Sequence, residues 1–115
     1  MKHAAEPSKR INRLLRELAG RAHQEALGRE LSKLHESFHA WQSGKLSAFD
    51  LNEEIHRFHD GPSRQLYVHY TSKLYELIVA RAVIQGLLSE SALPEEIRLH
   101  LAPALARERE AIRQG

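Results

Sequence analysis

The spacing of five large apolar residues in the first half of the chain constrains its fold more than any other feature. Leu27, Leu31, Leu34, Phe38 and Trp41 recur at alternating intervals of four and three. That is the period of a helix burying one stripe, and it does not suit a strand, whose side chains change face at every residue. Ser8 to Trp41 is therefore expected to be helical. Upstream, Ile11, Leu15, Leu18 and Ala22 keep the period but fall out of phase with the later set. The slip lies between Gly20 and Gly28, where a bend or a division into two helices is expected.

The rest of the chain reads in the same way. Ser43-Gly44-Lys45 closes the first segment, and Ser47 with Asp50 three residues on resembles a capping box. A short second helix should follow with Leu51, Ile55 and Phe58 as its stripe. Asp60-Gly61-Pro62 should end it, Gly61 taking the left-handed position after the helix and Pro62 opening the next. Ser63 to Gln85 holds no glycine or proline and reads as one third helix, although Gln65 to Thr71 also alternates like a strand. Gly86 is its expected C-cap. Pro94-Glu95-Glu96 should open a fourth helix, with Pro103 imposing a kink or a restart before a fraying tail.

These segments predict an all-α fold, a small bundle of four to five helices with a long, bent or broken first helix. With 115 residues the chain has the length of one domain, with residues 1–7 and 107–115 expected as frayed ends. The absence of cysteine excludes disulfides, thiolate metal sites and cysteine nucleophiles. It fits a reducing cytoplasm. No apolar run reaches the length of a membrane span or a signal peptide, so no membrane partner is expected.

Four groups of residues invite a functional reading. The densest polar cluster is the turn with His56, His59, Asp60, Arg64 and Tyr67, a place to look for a ligand, although ordinary helix capping explains the same residues. Arg81 belongs with it as a candidate, because projection sets it among Tyr70, Leu74, Leu77 and Ile84, where it needs a carboxylate such as Asp60 or Glu54. Lys9, Arg10, Arg13, Arg16 and Arg21 give the first helix a basic face that could meet phosphates, interrupted by Glu17 and Glu25. The third segment carries a second apolar stripe, Val68, Tyr75, Val79, Ala82 and Val83. A helix apolar on both sides is either the centre of the bundle or an assembly seam.

The eight histidines raise the question of metal. His35, His39 and His59 make a weak zinc candidate. The Glu36/His39 and Glu53/His56 spacings resemble those of di-iron bundles, but both glutamates project away from their apolar stripes. No P-loop, dinucleotide-binding glycine pattern, nucleophile elbow or zinc framework is present. The expectation is therefore a non-enzymatic helical interaction or regulatory module without a cofactor, forming a homodimer or binding another protein. Nucleic-acid binding through the basic face is the first alternative. A metal-binding or catalytic bundle built on the histidines near the second turn is the next.

Overall fold

The computed structural model describes residues 8–115. Among these residues the chain is all-α, with α1 at Lys9–Gln42, α2 at Ala48–Phe58, α3 at Arg64–Tyr70, α4 at Tyr75–Ile84 and α5 at Glu95–Gln114. The expected fray of residues 1–7 lies outside the described residues. No described helix is long and apolar enough to cross a membrane.

The chain divides into two compact units, one formed by residues up to Ala22 with Ser72–Gly115 and the other by His23–Thr71. The first unit contains the start of α1, α4 and α5. Its core is Leu15, Leu18, Ala19 and Ala22 from α1, Ile78, Val79, Ala80 and Ala82 from α4, then Leu93 and α5's Ile97, Leu101, Ala104 and Leu105. Successive residues of α4 point 100° apart. Burial of Ile78, Val79 and Ala80 together thus makes α4 the central helix of this unit. The two-sided apolar pattern is satisfied here within the chain.

Ion pairs lace the rim of this unit. Arg81 Nε donates to Glu108 Oε1 at 3.0 Å, His100 Nε2 lies 2.8 Å from Glu76 Oε1, and Arg109 donates to Glu90 at 2.7 Å. Arg81 therefore finds its carboxylate on α5, not at Asp60 or Glu54. Residues 107–114 are helical, where a frayed tail was expected. Pro103 lies inside α5 without dividing it. It denies a hydrogen bond to the carbonyl of Leu99, an exposed residue on the water side of the helix.

The second unit is an antiparallel helical hairpin. His23, early in its α1 segment, stacks on Tyr70 at the end of α3 with ring centroids 4.9 Å apart. Further along, Leu34 and Ser37 line the same groove as Glu54 and Phe58. The turn between the arms ends α1 with Gly44 at φ +81°, where Lys45 N–H reaches back to Ala40 O at 2.8 Å. Ser47 then caps α2, its side chain accepting from Asp50 N–H.

The structure corrects three boundaries. First, α1 is one unbroken helix. The phase slip marks where it passes from one unit to the other, so a change of packing partner takes the place of a break. Second, Gly61 does not end α2 in a left-handed conformation. The chain widens into a single π-helical turn at His59–Ser63 and continues into α3. Pro62 explains the widening, because in α geometry its ring would collide with the carbonyl of Phe58.

Third, the segment expected as one helix from Ser63 to Gln85 stops at Tyr70 and restarts at Tyr75. Local hydrogen bonds compete with the helix there: Thr71 Oγ1 donates to Tyr67 O at 2.5 Å, and Ser72 Oγ accepts from Leu74 N–H at 3.4 Å. Lys73 adopts φ +70° between them. Gly86, at φ +79°, closes α4 as expected, with Leu87 N–H bonded to Ala82 O at 2.9 Å.

Candidate functional site

The structure separates several residues that the sequence grouped. His56, His59, Asp60, Arg64 and Tyr67 all stand exposed along the α2, π-turn and α3 run. Their one recorded mutual contact is His59 Nδ1 to Asp60 Oδ1 at 3.3 Å. They form a solvent-facing strip along that run. Arg81, grouped with them from the sequence, belongs to the other unit.

The basic residues Lys9, Arg10, Arg13, Arg16 and Arg21 are exposed on α1. Arg10 is committed to Glu96, its guanidinium meeting Oε1 at 2.8 Å. The hydrogen bond from Arg10 holds the Glu96 carboxyl below its ordinary range, with the charges of Arg10 and Arg13 acting in the same direction. His35 and His39 on α1 and His59 on the π turn are exposed. Among the described residues no three histidine, aspartate or glutamate side chains gather as a metal ion would require.

The second apolar stripe is also divided. Val79 and Ala82 are sealed within the first unit, Tyr75 and Val83 are half-buried there, and Val68 is exposed on α3 in the hairpin. Val79 and Ala82 contribute to the unit's own core and present no outer surface.

The feature that sequence reasoning missed lies on the hairpin's α1 arm. Only Leu51 and Tyr70 are fully buried among the hairpin's apolar residues, while thirteen are buried in the other unit. On the α1 arm Leu31 remains 45% exposed, Phe38 38% and Trp41 41%. The arm packs through Leu27 and Leu34 and through the flank of His23, Glu30 and Ser37, all half-buried. On that side a groove of about 190 Å³ is lined by Glu30, Lys33 and Leu34 of α1 and Glu54, Arg57 and Phe58 of α2.

The opposite flank of the arm carries Gln24, Leu31, His35, Phe38 and Gln42, all exposed, with Gly28 half-buried among them. It holds no carboxylate, lysine or arginine. The arm's charges lie elsewhere, Arg29 paired with Glu25 at 3.2 Å and Lys33 with Glu30 at 2.8 Å. In heptad terms, one neighbour occupies the Leu27/Leu34 positions and the flank beside His23, Glu30 and Ser37. Leu31 and Phe38, on the flank that also carries His35 and Gln42, stay exposed. The sequence did carry a signal, since flanking heptad positions that are usually charged are here Gly, His and Gln. In comparison with known proteins, the chain matches no family model, no curated protein and no solved structure.

Proposed function

We propose that this chain is a non-enzymatic helical interaction module that self-associates, with the His23–Thr71 hairpin as its docking half. The observation carrying this reading is the contrast in burial. One unit has a full core, while the hairpin leaves Leu31, Phe38 and Trp41 of its main apolar stripe in water. A 49-residue hairpin with two buried apolar residues is below the size at which one core sustains itself, and association is the usual remedy without disulfides or metal.

Light scattering across a concentration series tests the proposal on wild type and Phe38→Glu. The expected result is a concentration-dependent dimer that the substitution converts to a folded monomer, because a carboxylate on the seam loses its water when the copies meet. A wild type that stays monomeric at every concentration, or a Phe38→Glu variant as dimeric as wild type, overturns it. A second reading, nucleic-acid contact, is favoured by the exposure of Lys9, Arg13, Arg16 and Arg21 along one helix. It predicts binding that falls steeply with salt and is abolished by Arg13→Glu. Binding that is absent or insensitive to salt removes it.

A further inference from the structure

We infer that the face of α1 turned away from the first unit's core is a ridge that contacts the phosphate backbone of duplex nucleic acid, independently of sequence. This rests on the nucleic-acid reading given second above and names its ligand.

The ridge follows from helical period. Lys9, Arg13 and Arg16 stand four and three residues apart, and Gly20 follows four residues later. At about 100° per residue all four fall within an arc of about 60°. The buried Leu15, Leu18 and Ala22 lie on the far side of the helix. Each ridge residue is exposed, and a side chain added at Gly20 would meet nothing within 4 Å. A ligand as long as the ridge can therefore lie along it without obstruction.

The charges on the ridge are uncommitted. Among the described residues of the first unit, eleven lysines and arginines stand against seven glutamates. Most of those carboxylates are already taken: Glu96 by Arg10, Glu108 by Arg81, Glu90 by Arg109 and Glu76 by His100. The side chains of Lys9, Arg13 and Arg16 hold no hydrogen bond or ion pair among the described residues. Arg13 adds its charge to the field at Glu96, but the hydrogen bond to that carboxylate comes from Arg10. Three free cations over about 10 Å of helix match the density of phosphates on one strand of a duplex, about one per 3.4 Å of axis. Such contacts fix a protein on the backbone and carry no sequence information.

The distribution of aromatic rings decides between duplex and single strand. Proteins that hold single strands stack the unpaired bases on aromatic side chains within a groove. The first unit's described residues include Tyr75 alone among phenylalanine, tyrosine and tryptophan, and it is half-buried. The exposed rings of Phe38, Trp41, Phe49 and Tyr67 belong to the hairpin. A convex basic face without a stacking platform suits a backbone whose bases remain paired.

Fluorescence anisotropy of the full-length protein tests this with two DNA duplexes of unrelated sequence, each about 20 base pairs, and with their separated strands, from about 25 to 200 mM salt. Both duplexes should bind within about twofold of each other and several-fold more tightly than the single strands. For three phosphate contacts, the logarithm of affinity should fall against the logarithm of salt with a slope of about −2.7 per bound copy. Arg16→Ala should flatten that slope by about 0.9, and Arg13→Ala combined with Arg16→Ala by about 1.8. Alanine favours the helix, so circular dichroism should show both variants as helical as wild type. Phe49→Ala should bind as wild type does.

Tighter binding of the single strands, a preference of about tenfold between the duplexes, a slope unmoved by Arg16→Ala, or a loss of affinity in Phe49→Ala overturns the inference. Each of these leaves nucleic-acid binding itself standing. An absence of binding to every probe at the lowest salt overturns both.

Discussion

The sharpest consequence of the two-unit division is that two leucines on one helix should differ in what they contribute. Leu15 lies in the first unit at 1% exposure, and Leu31 lies on the hairpin at 45%. Truncating Leu15 to alanine removes a fully buried side chain and leaves a cavity, at a cost of about 3 kcal/mol. Truncating Leu31 removes a side chain that already retains nearly half its water and leaves no enclosed void. Its cost should be about 1 kcal/mol in a single copy. The assay is urea unfolding of both variants at about 1 µM, where weak dimers dissociate. Native-state hydrogen exchange then assigns each loss to residues 9–22 or 23–42. Raising the protein concentration should enlarge the Leu31→Ala penalty, because association then stabilises only the wild type. The Leu15→Ala penalty should stay fixed. Equal costs in dilute protein would falsify the reasoning, since they would mean that Leu31 is enclosed by its own chain.

Three further expectations follow from local geometry. Gly44→Ala and Gly86→Ala should each destabilise by about 1 kcal/mol in thermal melts, because both glycines have positive φ and open space around them, so the cost is backbone strain alone; unchanged melting temperatures would contradict the assigned caps. Burial pushes the Tyr70 phenol above its ordinary value, so the stability it contributes is complete below about pH 10 and is lost as pH rises through its folded-state pKa. An ultraviolet titration should show one of the three tyrosines ionising late, and Tyr70→Phe should remove that late step. Glu96, held low by Arg10, has the opposite sign. Its contribution is present above the ordinary glutamate pKa of about 4.3 and lost as pH falls through the depressed one, and carboxyl NMR on Arg10→Ala should find the Glu96 titration moved upward.

Much of the secondary structure was legible because it depends on local period and turn chemistry. The stripe from Leu27 to Trp41, the Ser47 cap and the Gly86 terminus all appear where side-chain spacing and capping preference place them. The errors arise where two local signals compete. Gly61-Pro62 looks like a boundary, but a π turn accommodates the proline and lets the helix continue. Thr71-Ser72-Lys73 lacks glycine and proline and still breaks the helix, through hydroxyls that bond the backbone.

Sites were less legible than helices because a projection reveals which residues share a face and not what covers that face. Val79 and Arg81 illustrate this. Both looked like positions in need of a partner, and the chain supplies it, with burial inside the first unit for Val79 and Glu108 for Arg81. Leu31 and Phe38 looked like ordinary core positions and are exposed. The phase slip within α1 was visible, but its meaning, one helix serving two units, required the tertiary structure.

Hydrogen exchange of the wild type as a function of concentration tests most directly whether the hairpin depends on a second copy. Amides of residues 27–41 should gain protection as concentration rises, while those of Ile97 to Leu105 stay constant, because their core is complete within one chain. Protection of residues 27–41 that is high in dilute protein and unchanged on concentration would contradict the account, since it would mean that the hairpin is stable by itself.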